Sequence, residues 1–571
     1  MCALQNHPNC QTQMRTHIVA WLAAAIFAAM TLPSNAQLPL RIQDLYEAEL
    51  APFYHGVASG DPLPDGFILW TRVTPPGKPR TTTNRRVPVK WTVASDPALT
   101  QVVASGNIFA TSARDFTVKI DVRGLAAGQT YYYAFEAFGR QSITGKTKTA
   151  PNGPVDQLKF AVVSCSNYEW GYFSGYEQIS RRTDLDAVIH VGDYIYEYPD
   201  NHSYSSEQIR DERVLFPRNE TVTLRHYRTR YANYHLDPNL RRAHQQHPFI
   251  AIWDDHEFAN NAWKGGADNH TPFREGRWRT RKAAAIRAYL EWMPIREQGM
   301  SIVRSLSYGP LMDLILLDTR VEGRDIQVDD VDDPALYAPT RTMLGATQKE
   351  WLKTELSDST ATWKILGNQV VFSEFNIGFA AALDPLVTGD FLESQFLDIW
   401  DGYPVERAEL VDFLETEAIE NVVILTGDIH CSFAFEVADP VLGNPAYDPS
   451  TGAGAVAVEF VTPSLSAANF DEELGEFFTG LVEDSINKPF PPTGINNNPH
   501  MKFADLDQHG YLVLSVTAPQ VQADFYYLAD ILVPQTTESW GSGWISAAGS
   551  SHLVPAASPA PPKAIQDTPA P

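Results

Sequence analysis

Residues 187–193, Ala187-Val188-Ile189-His190-Val191-Gly192-Asp193, contain the pattern that decides the fold, an apolar run that ends in a glycine and an acidic residue. Similar apolar runs occur at 159–163, 249–253, 314–317, 363–366 and 422–425. Short, nearly continuous apolar strands are typical of sheets that are buried on both faces. Amphipathic helices are predicted between them, at 277–292, 347–356 and 405–418. The pattern therefore indicates an α/β core over residues 155–535.

The residues on either side of this core differ from it. Residues 49–150 contain short runs of β-forming residues punctuated by Pro, Gly, Asn and Asp, without a helical period. This pattern predicts an all-β domain of the immunoglobulin or fibronectin type. Residues 536–571 become rich in Pro and Ala from Ala556 onwards, and we expect them to form a disordered tail.

The N-terminus has the features of an export signal. Arg15 precedes an apolar run from Ile18 to Leu32, and Ser34-Asn35-Ala36 is a small-x-small cleavage site. We predict a signal peptide at 1–36, a short segment at 37–48, and a secreted or periplasmic protein without a stable membrane anchor. The alternative is that the same run is retained as an N-terminal anchor.

Composition restricts the possible partners. The 44 basic and 69 acidic side chains of the 571 residues give a formal net charge of −25. Such a chain repels nucleic acid over most of its surface, so nucleic-acid binding is not expected. A phosphate-bearing substrate would need local cations, which metals supply. After cleavage only Cys165 and Cys431 remain, so either one disulfide forms or a cysteine has a chemical role.

Side chains able to bind metals or phosphate follow all six apolar runs. They are Ser164-Cys165-Ser166-Asn167, Gly192-Asp193, Asp254-Asp255-His256-Glu257, Asp318-Thr319-Arg320, Asn368-Gln369 and Gly427-Asp428-Ile429-His430. Functional sites of α/β sheets lie off the carboxyl ends of the strands, so we expect these residues to converge on one edge. Converging carboxylates repel each other unless cations neutralise them. The sequence therefore predicts a metal centre.

The donor types indicate two unlike metals. Thiolate, phenolate and imidazole, as at Cys165, Tyr196 and His430, favour a Lewis-acidic transition metal such as ferric iron. Carboxylate and amide oxygens, as at Asp255 and Asn368, favour a harder divalent ion such as calcium or magnesium. A two-metal centre of this kind can bind a phosphate ester and activate water.

These motifs resemble a known family. Gly192-Asp193-x-x-Tyr196, Asp255-His256-Glu257 and Gly427-Asp428-x-His430 are similar to the metallophosphoesterase signature of PhoD-type alkaline phosphatases (alkaline phosphatase D), which are related to purple acid phosphatases. The segment from Gly56 to Pro62, with Ile68 to Arg72, resembles the opening of that family's β-sandwich domain. The resemblance implies a metallophosphoesterase sandwich of two mixed β-sheets flanked by helices. It also implies an exported hydrolase that cleaves phosphate mono- or diesters by metal-hydroxide attack.

The resemblance implies roles for the matching residues. Asp193 would bridge Fe(3+) and Ca(2+), Cys165, Tyr196 and His430 would complete the iron site, Asp255 and Asp428 would hold calcium, and His256 would protonate the leaving group. From the strand ends we add Asn368 as a calcium ligand, Arg320 as a phosphate clamp and Gln369 as a substrate contact. Asn261 has the character of a pocket wall and is added as a second substrate contact, with structural packing as the alternative.

Structural alternatives remain open for some of these residues. Cys165 could be an ordinary buried thiol, Asp254 rather than Asp255 could be the ligand, and Arg320 could be a structural ion-pair partner. His509 could return to the site or lie in a plain turn. Two other functions also remain: a phospholipase D-like phosphodiesterase on the same scaffold, and a non-catalytic exported binding protein. The oligomeric state does not follow from the sequence.

Overall fold

The structure is a computed structural model that describes residues 40–77, 85–383 and 387–571. The predicted signal peptide at 1–36 and the first residues of the 37–48 segment lie outside the described residues. Within the described ranges, no helix is both long enough and apolar enough to cross a membrane.

The strands form three sheets. The strands are β1 (Val57–Leu63), β2 (Gly66–Arg72), β3 (Arg86–Ala94), β4 (Val102–Thr111), β5 (Thr117–Arg123), β6 (Thr130–Ala137), β7 (Arg140–Gln141), β8 (Gly145–Lys148), β9 (Leu158–Val163), β10 (Ala187–His190), β11 (Pro248–Ala251), β12 (Arg304–Tyr308), β13 (Met312–Leu316), β14 (Trp363–Gly367), β15 (Val422–Thr426), β16 (Ser432–Val437), β17 (Ala457–Val461), β18 (Met501–Asp505), β19 (Gly510–Val516), β20 (Gln520–Leu528), β21 (Glu538–Ala547) and β22 (Leu553–Pro555).

The helices lie mostly in the connections between the strands of the α/β core. They are α1 (Ser174–Arg181), α2 (Leu224–Tyr234), α3 (Pro238–Gln246), α4 (Pro272–Glu275), α5 (Trp278–Trp292), α6 (Gly345–Asp358), α7 (Gly389–Ser394), α8 (Pro404–Thr416), α9 (Phe470–Leu474) and α10 (Glu476–Ile486). Short 3-10 helices occupy Ile42–Leu45, Ala48–Leu50, Ser112–Arg114, Pro334–Tyr337, Gly378–Ala382 and Trp400–Gly402.

The six predicted core strands are present and are divided between two sheets. β9, β10 and β11 pair in parallel at the middle of a ten-stranded sheet, in the order β22-β21-β20-β19-β9-β10-β11-β1-β2-β5. β13, β14 and β15 pair in parallel in a seven-stranded sheet, in the order β12-β13-β14-β15-β17-β16-β18. Each sheet also contains antiparallel pairs, such as β19 with β9 and β12 with β13, so both sheets are mixed and the α/β expectation is confirmed. The three predicted helices are α5, α6 and α8.

One apolar core joins the two large sheets. Phe160 and Val162 of β9 belong to the same fully buried cluster as Leu314, Ile365 and Leu425 of the seven-stranded sheet. Burying one such side chain contributes roughly 1.5–3 kcal/mol, so this shared core fixes the sheets against each other. The carboxyl ends of the two parallel sets therefore meet at one edge.

The region at 49–150 forms two β-layers, one of which belongs to the ten-stranded sheet. β3, β4, β6, β7 and β8 make a separate antiparallel sheet. β1, β2 and β5 instead extend the ten-stranded sheet, because β1 pairs in parallel with β11. Buried side chains such as Phe67, Val89 and Tyr133 fill the space between the layers. The immunoglobulin-like character of this region stays a prediction.

Residues 536–571 correct the prediction of a disordered tail. β21 and β22 add to the ten-stranded sheet, and the residues that follow carry charges into buried ion pairs. Lys563 lies 2.7 Å from Asp186, and Asp567 lies 3.1 Å from Lys148 and 3.7 Å from Lys146. Composition could not reveal this, because the partners that bind the Pro-rich segment lie about four hundred residues away in sequence.

Asp567→Ala is expected to lower the free energy of unfolding by about 3–5 kcal/mol, as removal of one partner from a buried ion pair does. The side chain of Lys146 is only 1% exposed and would lose the carboxylate nearest to it. Urea unfolding measures the change. Asp156→Ala removes an exposed carboxylate and serves as the control, with an expected effect within about 0.5 kcal/mol. Equal changes in the free energy of unfolding for the two substitutions would contradict the conclusion that the ion pairs of Asp567 hold the C-terminal segment against the rest of the protein.

Candidate metal centre

Three overlapping groups of potential metal ligands lie at the shared edge of the two large sheets. The groups are Cys165 with Asp193 and His430, Asp193 with Asp255 and His256, and Asp254 with Asp255 and Asp428. Within each group the donor atoms lie within 4.8 Å of one another. Asp193 belongs to the first two groups and Asp255 to the last two. The groups therefore form one continuous row, with a sulfur- and nitrogen-containing end and an all-carboxylate end.

The backbone at this edge is strained where it presents the donors. Left-handed φ angles occur at Cys165 (58°), Asp193 (57°), Asp428 (65°) and His430 (66°). A non-glycine residue in a sparsely populated conformation of this kind costs about 1–3 kcal/mol and persists only where the surroundings enforce it. Such strain clusters at functional sites, which supports a functional rather than a merely structural role for these turns.

Two glycines allow the strand ends to approach each other. Gly192 has φ 124°, and a Cβ atom there would lie 2.3 Å from Cβ of Asp254. A Cβ atom on Gly427 would lie 2.5 Å from Oγ of Ser164. Any larger residue would push the donor-bearing turns apart, which explains the Gly-Asp pairs at the ends of β10 and β15.

His430 is held in the form that binds metals. Its Nδ1–H donates to the carbonyl of Ala468 at 2.6 Å, because a carbonyl oxygen can only accept. Burial lowers the pKa of His430 to about 3, so the ring is neutral and its Nε2 carries a lone pair. That Nε2 lies 3.3 Å from the hydroxyl of Tyr196, which in turn donates to Asp193 at 3.2 Å. The predicted iron ligands are thus brought together.

Some of the carboxylate groups in the row lack a compensating partner. Burial, reinforced by Asp255 and other acidic neighbours, raises the pKa of Asp193 well above its usual range. Burial also raises the pKa of Asp428 to about 6. Oδ2 of Asp254 and Oδ1 of Asp255 are buried without a hydrogen-bond partner among the described residues. Buried, unpaired carboxylate oxygens are costly unless a cation meets them, so these donors fit bound metal ions.

Arg320 lies at the all-carboxylate end of the row. Its fully buried guanidinium forms close ion pairs with Asp254 and Asp428, and its nitrogens lie 3.9 Å from Asp255 and 3.8 Å from Asp398. Although burial opposes the charge, these carboxylates raise the pKa of Arg320 well above its usual value. The predicted phosphate clamp is therefore engaged by protein carboxylates, as the ion-pair alternative expects.

His256 contacts both the row and a buried glutamate. Its backbone N–H donates to Asp193 Oδ1 at 3.3 Å, and its Nδ1 donates to Glu197 at 2.7 Å. Burial alone would raise the pKa of Glu197, but the charge and hydrogen bond of His256 outweigh it and lower the pKa. The ring also packs against Tyr196 at a centroid distance of 4.2 Å. These contacts orient the imidazole beside the donor atoms.

Glu257 holds two of the donor-bearing turns together, a role that the sequence does not indicate. Its carboxylate accepts the backbone N–H groups of Asp193 (3.1 Å), Tyr194 (2.5 Å) and Asp254 (2.7 Å), and so ties the turn after β10 to the turn after β11. Burial raises its pKa to about 7 despite these hydrogen bonds. Its position directly after Asp255-His256 indicates that Glu257 lies near the site. The sequence does not reveal that its side chain turns back toward β10.

Two predicted residues, Asn368 and Gln369, are committed to other contacts. The amide of Asn368 donates to Val370 O at 2.6 Å, and the side chain lines an apolar pocket with Trp400. Both ends of the Gln369 amide are used, since Nε2 donates to the carbonyls of Trp253 and Leu317 and Oε1 accepts from Thr319. We therefore do not propose Asn368 as a calcium ligand or Gln369 as a substrate contact.

Asn261 contacts the row through its backbone, while its side chain is bound to Asp268. Its backbone N–H donates to Asp255 Oδ2 at 2.5 Å, and its side-chain amide donates to Asp268 at 2.8 Å. Its φ angle is also left-handed, at 51°. In this arrangement Asn261 positions Asp255.

Comparison with known proteins places these features in a family. Residues 160–525 match the family described as PhoD-like phosphatase, and residues 41–151 match the PhoD-like phosphatase N-terminal domain. Alkaline phosphatase D of Bacillus subtilis (strain 168) is 35% identical over 502 residues, which cover 85% of this chain and 79% of that protein. The solved structure of PhoD superposes with a TM-score of 0.75 at 32% identity, covering 89% of this chain and 93% of the other.

Proposed function

Because this chain belongs to the PhoD-like phosphatase family and is a phosphoric ester hydrolase, we propose that its donor row is a two-metal catalytic centre. The observation that carries the proposal is the overlap of the three ligand groups through Asp193 and Asp255. A residue shared by two neighbouring groups is what a bridging ligand requires. We infer that Asp193 is that bridge.

Iron is the metal we propose for the mixed-donor end. Cys165, Tyr196 and His430 offer sulfur, phenol oxygen and imidazole nitrogen, a combination suited to a transition metal. Burial and then the charge of Asp193 raise the pKa of the Cys165 thiol, so a strongly charged cation is needed to hold the thiolate.

Calcium is the metal we propose for the all-carboxylate end, where Asp254, Asp255 and Asp428 offer only oxygen. Both aspartates of the Asp254-Asp255 pair lie in this group, so both are proposed as donors. Bound there and at the iron end, the two ions would supply Lewis-acid charge for the phosphate and lower the pKa of water.

The protein's own groups are proposed to complete the reaction. Arg320 offsets the charge of Asp254 and Asp428 at one end of the row. His256, held by Glu197, is the proposed general acid that gives a proton to the departing alcohol oxygen. The net charge of −25 favours a small phosphate ester over a nucleic acid as substrate. We propose export to the periplasm or cell exterior on the basis of the N-terminal pattern.

Hydrolysis of a chromogenic phosphate monoester and the matching diester, with and without a calcium-selective chelator, tests this function. We expect turnover of at least one ester and a loss of at least about a hundredfold on chelation, the order of effect that removal of a charge-stabilising group has. The ratio of the two rates separates a phosphomonoesterase from the phospholipase D-like alternative. Turnover that is unaffected by chelation would contradict the calcium site.

A further inference from the structure

The loop at residues 464–469, between β17 and α9, contacts both protein segments that supply the iron-side donors. Leu465 N–H donates to Ser164 O at 3.0 Å, and Ser466 N–H donates to Cys165 O at 3.3 Å. At the other side of the loop, Ala468 O accepts the Nδ1–H of His430 at 2.6 Å. The position of this loop therefore affects the orientation of the His430 ring.

A closed ring of side-chain contacts holds the 464–469 loop. Ser464 Oγ lies 3.0 Å from His509 Nδ1, and His509 Nε2 lies 3.0 Å from Glu472 Oε1. Glu472 Oε2 accepts the backbone N–H of Asn469 at 2.6 Å, and Asn469 Oδ1 lies 3.0 Å from Ser464 Oγ. Ser464 and Asn469 are fully buried and His509 is nearly so.

The number of available protons fixes the hydrogen-bond directions in this ring. Ser464 has one hydroxyl proton, and Oγ lies 2.5 Å from Ala467 O, which can only accept. Because that proton serves the carbonyl, His509 Nδ1 donates to Ser464, and the other ring nitrogen, Nε2, faces the Glu472 carboxylate at 3.0 Å. The His509 hydrogen bond and charge outweigh burial and lower the pKa of Glu472, in keeping with an ion pair.

We propose that His509 is a positioning residue for the metal ligand His430. The connection runs from His509 to Ser464, from Ser464 to the carbonyl of Ala467, and from the neighbouring carbonyl of Ala468 to His430 Nδ1. This inference rests on the proposed function, since it takes His430 as an iron ligand. Outer partners of a metal-binding histidine fix its tautomer and ring orientation, and their loss typically costs about 10–100-fold in metal affinity.

Iron affinity, measured on the purified protein by competition with a chelator, tests the proposal. We expect His509→Ala to weaken iron binding by about 10–100-fold. His509→Asn keeps an amide N–H near the place of Nδ1 and should recover most of that loss. His500→Ala is the matched control, because His500 is also fully buried and donates to a backbone carbonyl (Glu374 O, 2.7 Å) but lies outside the ring. It should reduce thermal stability of the metal-free protein and leave iron affinity unchanged.

The outcomes separate this proposal from the one on which it rests. Wild-type protein that binds iron together with a His509→Ala variant of equal affinity would overturn the positioning role alone. Equal losses of affinity in His509→Ala and His500→Ala, or no recovery in His509→Asn, would also overturn it. Wild-type protein that binds no iron would overturn the proposed function, and this inference with it.

Discussion

Asp193→Asn is expected to lower kcat/KM for phosphate esters by at least about a thousandfold, as loss of a group that stabilises transition-state charge does. Asp193 is the residue shared by the sulfur-containing group and the His256 group, and Tyr196 donates to its second oxygen. An amide in its place removes the charge that both proposed metals would share.

The same substitution is expected to leave the metal-free protein folded and at least as stable as the wild type. Burial and neighbouring carboxylates raise the pKa of Asp193, so the folded state disfavours its ionisation and this group costs stability as the pH rises above its ordinary pKa. Replacing it with a neutral amide removes that cost at neutral pH. Added metal should raise the melting temperature of the wild type, by linkage, and have little effect on the variant.

Asp524→Asn provides the control for loss of a buried carboxylate away from the site. Asp524 accepts from Gln522, Trp540 and the backbone of Ala560, so the control should lose stability and keep activity. The opposite pattern, an active Asp193→Asn variant or one that unfolds without metal, would contradict the role of Asp193 as the bridging ligand.

His256→Gln is expected to lower kcat by about 10²–10⁴-fold for esters of poorly acidic alcohols, the range typical of general acid catalysis. The loss should be much smaller for a nitrophenyl ester, whose leaving group needs no proton. Glu197 accepts a 2.7 Å hydrogen bond from Nδ1 and so orients the imidazole. Steady-state rates for a series of leaving groups provide the measurement.

His202→Gln is the matched control for the acid. His202 stacks on Tyr198 at 4.3 Å and belongs to none of the three ligand groups, so this variant should keep the wild-type dependence on the leaving group. A uniform loss across all leaving groups in His256→Gln would mean that the residue orients the substrate and does not supply the proton.

The strands and most donors could be predicted because one physical feature determines both. β9 to β11 and β13 to β15 are almost entirely buried, so they appear in the sequence as nearly continuous apolar runs. The residue that follows such a run lies at the carboxyl edge of its sheet, whatever the conformation of the loop after it. Asp193, Asp255 and His430 were therefore predictable as neighbours although they are far apart in the chain.

The sequence is uninformative where side-chain direction or long-range pairing decides which groups meet. Asn368 and Gln369 follow β14 at the right edge, but Asn368 points to the helix-covered apolar face and Gln369 is saturated by backbone groups of neighbouring strands. The pairing of β1 with β11 and the ion pairs of Asp567 join distant parts of the chain. Local composition contains no information on such contacts.

Elemental analysis of the purified protein, before any metal or chelator is added, is the most direct test of the two-metal centre. The row of donors from Cys165 to Asp428 predicts stoichiometric iron together with calcium. Zinc or manganese in place of iron would contradict the assignment of the sulfur-containing end. Protein that hydrolyses phosphate esters yet contains no stoichiometric metal would contradict the central claim.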